Sequence, residues 1–152
     1  MSRRVAIALG SNLGNREAHL RRAIEALAPT VSHLRVSSFY DTDPVDVPGT
    51  QPMFLNAAAT GESELSARAA LDALLVVEQQ LGRERPYIGA PRTIDLDLIL
   101  YADSVINEPG LMVPHPRFRE RRFVLQPLAE IAADWIDPVT GKTIGELLDV
   151  LR

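Results

Sequence analysis

The sequence predicts an α+β fold, a ferredoxin-like sandwich in which a mostly antiparallel sheet carries packed helices. Three observations point there. Two long stretches with helical apolar spacing are interleaved with short runs of strand character. Of the 152 residues, 46% are hydrophobic and 24% charged, the make-up of an ordinary globular protein. The length suits one domain, 1–152, able to bury roughly 70% of the surface its unfolded chain exposes.

Arg4 to Leu9 (RVAIAL) reads as a first strand that runs into the turn Gly10-Ser11-Asn12. In residues 16–27, Ala18, Leu20, Ala23, Ile24 and Leu27 recur at helical spacing, with Asn12 or Asn15 as the cap and Pro29 beyond the end. Leu34 to Tyr40 alternates as a second strand. Residues 41–53 hold three of the chain's 11 prolines, an irregular loop of a length that tends to be functional. Phe54 to Thr60 is a third strand. Ser66 to Leu81 is the best helix, with Ala70, Leu71, Leu74, Val77 and Leu81 on its apolar face and Gly82 as terminator. A basic loop, GRERPYIGAPR, then leads into residues 91–101, PRTIDLDLILY. A loop rich in proline and arginine (113–122), a short apolar segment (FVLQPLAEIA) and a last helix, Thr143 to Leu151, complete the chain.

Composition narrows the chemistry. With no cysteine there are no disulfides, thiolate metal sites or cysteine nucleophiles, so oxygen and imidazole ligands remain. A formal net charge of −4 argues against general attraction to nucleic acid or anionic membrane. The apolar run before Gly10 is too short for a signal peptide, and no run of about 20 apolar residues occurs. The expectation is a cytoplasmic monomer that binds neither nucleic acid nor membrane.

Within PRTIDLDLILY, Asp95 and Asp97 are two apart, so on a strand they share one face, with Ile94, Leu96 and Leu98 on the other. Two such carboxylates repel unless a cation neutralises them, and hard oxygen ligands suit magnesium. The plainer alternative is a solvated edge strand. Arginines crowd around the pair: Arg83, Arg85 and Arg92 before it, Arg117, Arg119, Arg121 and Arg122 after it. Guanidinium forks match phosphate oxygens, and metal with arginine is common equipment for holding a polyphosphate. Surface arginines paired with Glu84 and Glu120 are the competing explanation. His115, between two prolines, is confined to extended or turn backbone and could donate to a phosphate when neutral. Glu78 is placed opposite Leu74 and Leu81, as an ordinary solvated glutamate would be. GSNLGN (10–15) has the look of a phosphate loop but lacks the ending of a P-loop and the spacing of a dinucleotide turn.

Taken together, ALGSNLGN, VSSFYDTDPV, QPMFLNAA, the E-x3-GRER stretch at 78–85, PRTIDLDLILY and VPHPRFRERRFVLQPLAEI resemble, in order and spacing, the 6-hydroxymethyl-7,8-dihydropterin pyrophosphokinase family. The resemblance implies transfer of pyrophosphate from ATP to the pterin alcohol in folate biosynthesis, with release of AMP. It implies that Asp95 and Asp97 hold two Mg2+ ions, and that Arg83, Arg92, His115 and Arg121 act at the triphosphate and nucleotide, with Glu78 near the nucleotide. Phe54 and Phe123 would sandwich the pterin, Asn56 would bond its edge, and Thr42 and Val45 would touch it through their backbones. Stacking on both faces suits a flat heteroaromatic, and its amide-like edge demands fixed partners. The chain departs from the family pattern at Phe54, commonly a tyrosine, at PYIGAP, where an arginine and a tryptophan are usual, and at Pro116. A metal-dependent nuclease would use the same aspartates and arginines but gives no reason for Phe54, Asn56 and Phe123. An RNA-binding module would call for exposed strand aromatics and a basic sheet.

Overall fold

The computed structural model describes residues 2–44, 51–82 and 93–151. Its elements are β1 (Arg3–Ser11), α1 (Arg16–Leu27), β2 (Ser32–Val36), β3 (Tyr40–Thr42), β4 (Phe54–Ser63), α2 (Ala67–Gln80), β5 (Asp95–Tyr101), β6 (Ile106–Glu108), β7 (Leu111–Val113), α3 (Arg122–Ala132) and α4 (Ile144–Val150), with a 3-10 turn at Phe118–Glu120. The α+β class is as expected: β2, β4, β1 and β5 lie side by side in an antiparallel sheet, and β3 also pairs with β4.

Alternation along β1 decides what each face of the sheet touches. Val5, Ile7 and Leu9 pack with Leu20, Ala23 and Leu27 of α1 and with Leu74 and Val77 of α2. Ala6 and Ala8 face the other way, onto Val124, Leu125 and Leu128 of α3 and Leu147 and Leu148 of α4. Helices therefore cover both faces of the sheet. The second layer is hard to read because Pro127 sits inside α3, and proline cannot donate the hydrogen bond of a helix interior. A buried apolar stripe, Val124, Leu125, Leu128 and Ala132, holds the helix on the sheet nonetheless.

Other differences are local. Asn15 caps α1 through a bond from the Ala18 N–H, and Ser66 caps α2. Leu34 to Tyr40 is not one strand, because Ser37 turns inward: its Oγ accepts from the Ala58 N–H, and Ser38 is tied to Glu130 on α3. The chain resumes pairing with β4 as β3. The β6–β7 hairpin, closed at Pro109-Gly110, escaped the sequence pattern because its strands have three residues each.

Phe118 is fully buried and anchors the turn between His115 and Arg121 against the second helix layer. Truncating it leaves a cavity that rigid helices cannot collapse. Phe118→Ala is expected to lower unfolding free energy by about 3–5 kcal/mol, measured by urea denaturation.

Candidate active site

Three strands meet at the site. Gly10 on β1 pairs with Asn56 on β4 and with Asp95 on β5, and Ala8 pairs with Ala58 and Asp97. Directly opposed residues share a face. At a strand spacing of about 4.8 Å, Asn56 and Asp95 stand roughly 10 Å apart in one row. Between them lies only the backbone of Gly10. This floor carries a pocket lined by Thr42 and Phe54 from one side and by Phe123 and Val124 from α3, together with Asp95, Asp97, Asp43, Arg117 and Arg121.

The side chains are held by named contacts. The Asn56 amide nitrogen donates to the Thr42 hydroxyl. Glu130 of α3 accepts from the Ser38 N–H at 2.9 Å and from the Tyr40 hydroxyl at 2.5 Å. That bond pushes the Tyr40 phenol up to about 12 and, first among several causes, holds the Glu130 carboxyl below its ordinary value. The network ties β3, which carries Thr42, to the helix whose first turn carries Phe123. The Arg121 guanidinium lies 5.5 Å from the centre of the Phe123 ring.

Glu78 is the clearest correction. It is 2% exposed, and its Oε2 accepts from the Leu96 N–H at 2.7 Å. Four residues from Leu74 and three from Leu81, it shares their face and is not opposite them. Buried, it satisfies a backbone donor on the outer strand of the sheet, at the residue between the two aspartates.

His115 is half-buried, with its N–H bonded to the Ile99 carbonyl on β5 and its Nδ1 accepting from the Arg117 N–H at 3.2 Å. Burial lowers its pKa, Arg121 and Arg117 lower it further, and Asp95 opposes them. A neutral ring with Nδ1 occupied as acceptor carries its proton on Nε2.

Asp95, Asp97, Thr42, Phe54, Asn56, Phe123 and Arg121 thus line one pocket, and His115 and Glu78 flank β5. Val45, Arg83 and Arg92, with the Tyr87 and Ile88 departures, lie outside the described residues. Sequence reasoning missed Gly10 and Asp43 as lining residues and did not single out Arg117. The alternation Ala6, Ala8, Gly10, which leaves a floor without bulk, was the available signal. Asp95 and Asp97 are partly exposed on the pocket side, and among the described residues no cluster of three or more histidine or acidic side chains is placed to hold a metal. Two carboxylates alone fit a hard cation such as magnesium, which keeps water and phosphate oxygens as its other ligands.

The profile of the 7,8-dihydro-6-hydroxymethylpterin-pyrophosphokinase (HPPK) family matches residues 6–133. The chain belongs to the HPPK family. It is 42% identical over 145 residues to 2-amino-4-hydroxy-6-hydroxymethyldihydropteridine pyrophosphokinase of Synechocystis sp., a match that covers 94% of this chain and 73% of that one. The protein of the same name from Pseudomonas aeruginosa is 39% identical over 150 residues, 97% of this chain and 91% of its own. Among solved structures, wild-type Plasmodium falciparum HPPK-DHPS superposes with a TM-score of 0.78 at 12% identity, covering 99% of this chain, which spans 45% of that longer one. That likeness concerns the HPPK fold. No described helix is long and apolar enough to cross a membrane.

Because the folded protein holds the His115 pKa below the histidine reference of about 6.5, the unfolded chain binds the proton more tightly there. Stability contributed by the neutral ring is therefore lost as pH falls from about 6.5 toward the depressed value. His115→Gln is expected to shrink the loss of unfolding free energy between about pH 7.5 and about pH 5.5, measured by denaturant titration at each pH.

Proposed function

We propose that this chain transfers the terminal pyrophosphoryl group of ATP to the hydroxymethyl oxygen of 6-hydroxymethyl-7,8-dihydropterin, with release of AMP. The observation that carries the proposal is the row Asn56, Gly10, Asp95. A flat bicyclic ring standing over the Gly10 backbone between Phe54 and Phe123, with one end at Asn56, would direct its far substituent toward the carboxylates. Phe54 and Phe123 line the same pocket, which supports stacking on both ring faces. With the Asn56 amide nitrogen engaged by Thr42, its oxygen is left to accept an N–H from the pterin edge.

Asp95 and Asp97 would hold two Mg2+ ions. The ions would supply Lewis-acid stabilisation of phosphate charge. The pterin oxygen forms a bond to the β-phosphorus as the bridge to the α-phosphate breaks in line, and the hydroxyl proton passes to solvent. Such transfers rest on positioning and charge stabilisation more than on covalent participation by the protein. Arg121 brings positive charge to the pocket, and the amino end of α3 adds its partial charge; Arg117 lines the pocket too, with its Nε paired to Glu120 at 2.8 Å as the surface-arginine explanation anticipates. Neutral His115 would donate Nε2–H to a phosphate oxygen. Arg83 and Arg92 are assigned to the triphosphate and transition state, Glu78 to the nucleotide side through its support of β5, and Val45 to a backbone contact on the pterin.

Mixing the protein with ATP, Mg2+ and 6-hydroxymethyl-7,8-dihydropterin is expected to release AMP in step with pterin consumption. Asp95→Ala and Asp97→Ala should each cut the rate by about 100-fold or more. AMP release that ignores the pterin, or survives both substitutions, contradicts the proposal. Phe123→Ala is expected to raise the dissociation constant of the pterin about tenfold and leave that of an ATP analogue within about twofold, by calorimetric titration. Equal loss of both would contradict the sandwich.

A further inference from the structure

The segment GSNLGN at 10–15 lacks the signatures of a phosphate loop, and its contacts, with those of Arg16 after it, run to the pterin side of the pocket. A Cβ on Gly10 would lie 2.9 Å from the Asn56 Oδ1 and 3.6 Å from the Phe54 ring. The Asn12 side-chain amide donates to the Gln51 Oε1 at 3.0 Å. One nitrogen of Arg16, Nη1, donates both to the Asp41 Oδ1 at 2.7 Å and to the Met53 carbonyl at 2.9 Å.

The position of those last two acceptors is what matters. Asp41 precedes Thr42, Met53 precedes Phe54, and Thr42 and Phe54 are the terminal pair of the β3–β4 ladder. A terminal pair has ladder neighbours on one side only and opens first. Arg16 spans that open end from the first turn of α1, whose Leu20, Ala23 and Leu27 are locked in the core.

We propose that Arg16 is a positioning residue for the pterin wall: its guanidinium staples the two chains that carry Thr42 and Phe54, and Asp41 is its partner. The inference rests on the reading of Thr42 and Phe54 as pterin contacts. Arg16 itself touches no reacting atom. Its side chain is 30% exposed and that of Asp41 55%, so as an ion pair alone it contributes little to stability. The consequence is geometric: without it the stacking ring and the hydroxyl that holds Asn56 lose their fixed separation.

The test is steady-state kinetics on the full chain carrying Arg16→Ala, Asp41→Asn, both together, or Arg16→Lys, with thermal unfolding of each. Arg16→Ala is expected to raise the pterin KM roughly three- to tenfold, the range one charge-assisted contact commands, with the ATP KM and kcat within about twofold. Asp41→Asn should do less, because the Met53 bond remains. The double variant should be no worse than Arg16→Ala alone. Arg16→Lys should recover most of the loss, since an ammonium can donate to both oxygens. An unchanged pterin KM in Arg16→Ala overturns the staple, as does an equal rise in both KM values or additive effects in the double variant. A wild-type protein that does not turn over the pterin instead overturns the site reading beneath it.

Discussion

Backbone hydrogen bonds that run from β4 through β1 to β5 set the relative places of Asn56, Gly10 and Asp95, and the rest of the pocket is built on that row. Register in a sheet is all or nothing, because a slip of one residue turns every side chain to the opposite face. Here a slip of β5 against β1 would bury Asp95 and Asp97 in the layer of α1 and α2 and bring Leu96 and Leu98 to the pocket. The apolar partners of Leu96 and Leu98 in that layer, Leu74 and Val77 among them, make such a slip costly. The face that carries the two carboxylates is thus enforced from behind by ordinary core packing.

The two helix layers divide the work. On one side α1 and α2 fix the sheet and reach its functional end from below, through Arg16 at the start of α1 and Glu78 near the end of α2. On the other side α3 brings Phe123 and Arg121 to the pocket, and its Glu130 returns to Ser38 and Tyr40 at the β3 end of the sheet. Farther back, Asp137 is buried against Arg119 and Thr140, which ties the turn beside His115 to the chain before α4. The Asp137 carboxyl stays below its ordinary pKa although burial, the largest influence on it, pushes the other way. Its hydrogen bonds outweigh that desolvation.

Much of this was legible in the sequence wherever the signal is local. The spacing of Leu20, Ala23 and Leu27 marked α1, the run to Leu81 marked α2, and alternation through Ile94, Leu96 and Leu98 put Asp95 and Asp97 on a common face. The rest was hidden for physical reasons. Pro127 disguised α3, Ser37 broke an apparently continuous strand, and the β6–β7 hairpin is too short to show a period. Glu78 was misplaced although its spacing, four from Leu74 and three from Leu81, already puts it on their face; what the sequence could not show was its backbone partner, 18 residues away. The expectation that Phe54, Asn56 and Phe123 serve a pterin came from family resemblance, since nothing local tells Asn56 that it will face Asp95 across Gly10. That juxtaposition is a property of strand pairing.

The most direct measurement is a crystal structure of the protein with 6-hydroxymethyl-7,8-dihydropterin, Mg2+ and a non-hydrolysable ATP analogue. The expected result is the pterin between Phe54 and Phe123 above Gly10, its edge on Asn56, its hydroxymethyl oxygen in line with the β-phosphorus, and metal on Asp95 and Asp97. A pterin bound away from the Gly10 floor, or phosphates held without either aspartate, would contradict it.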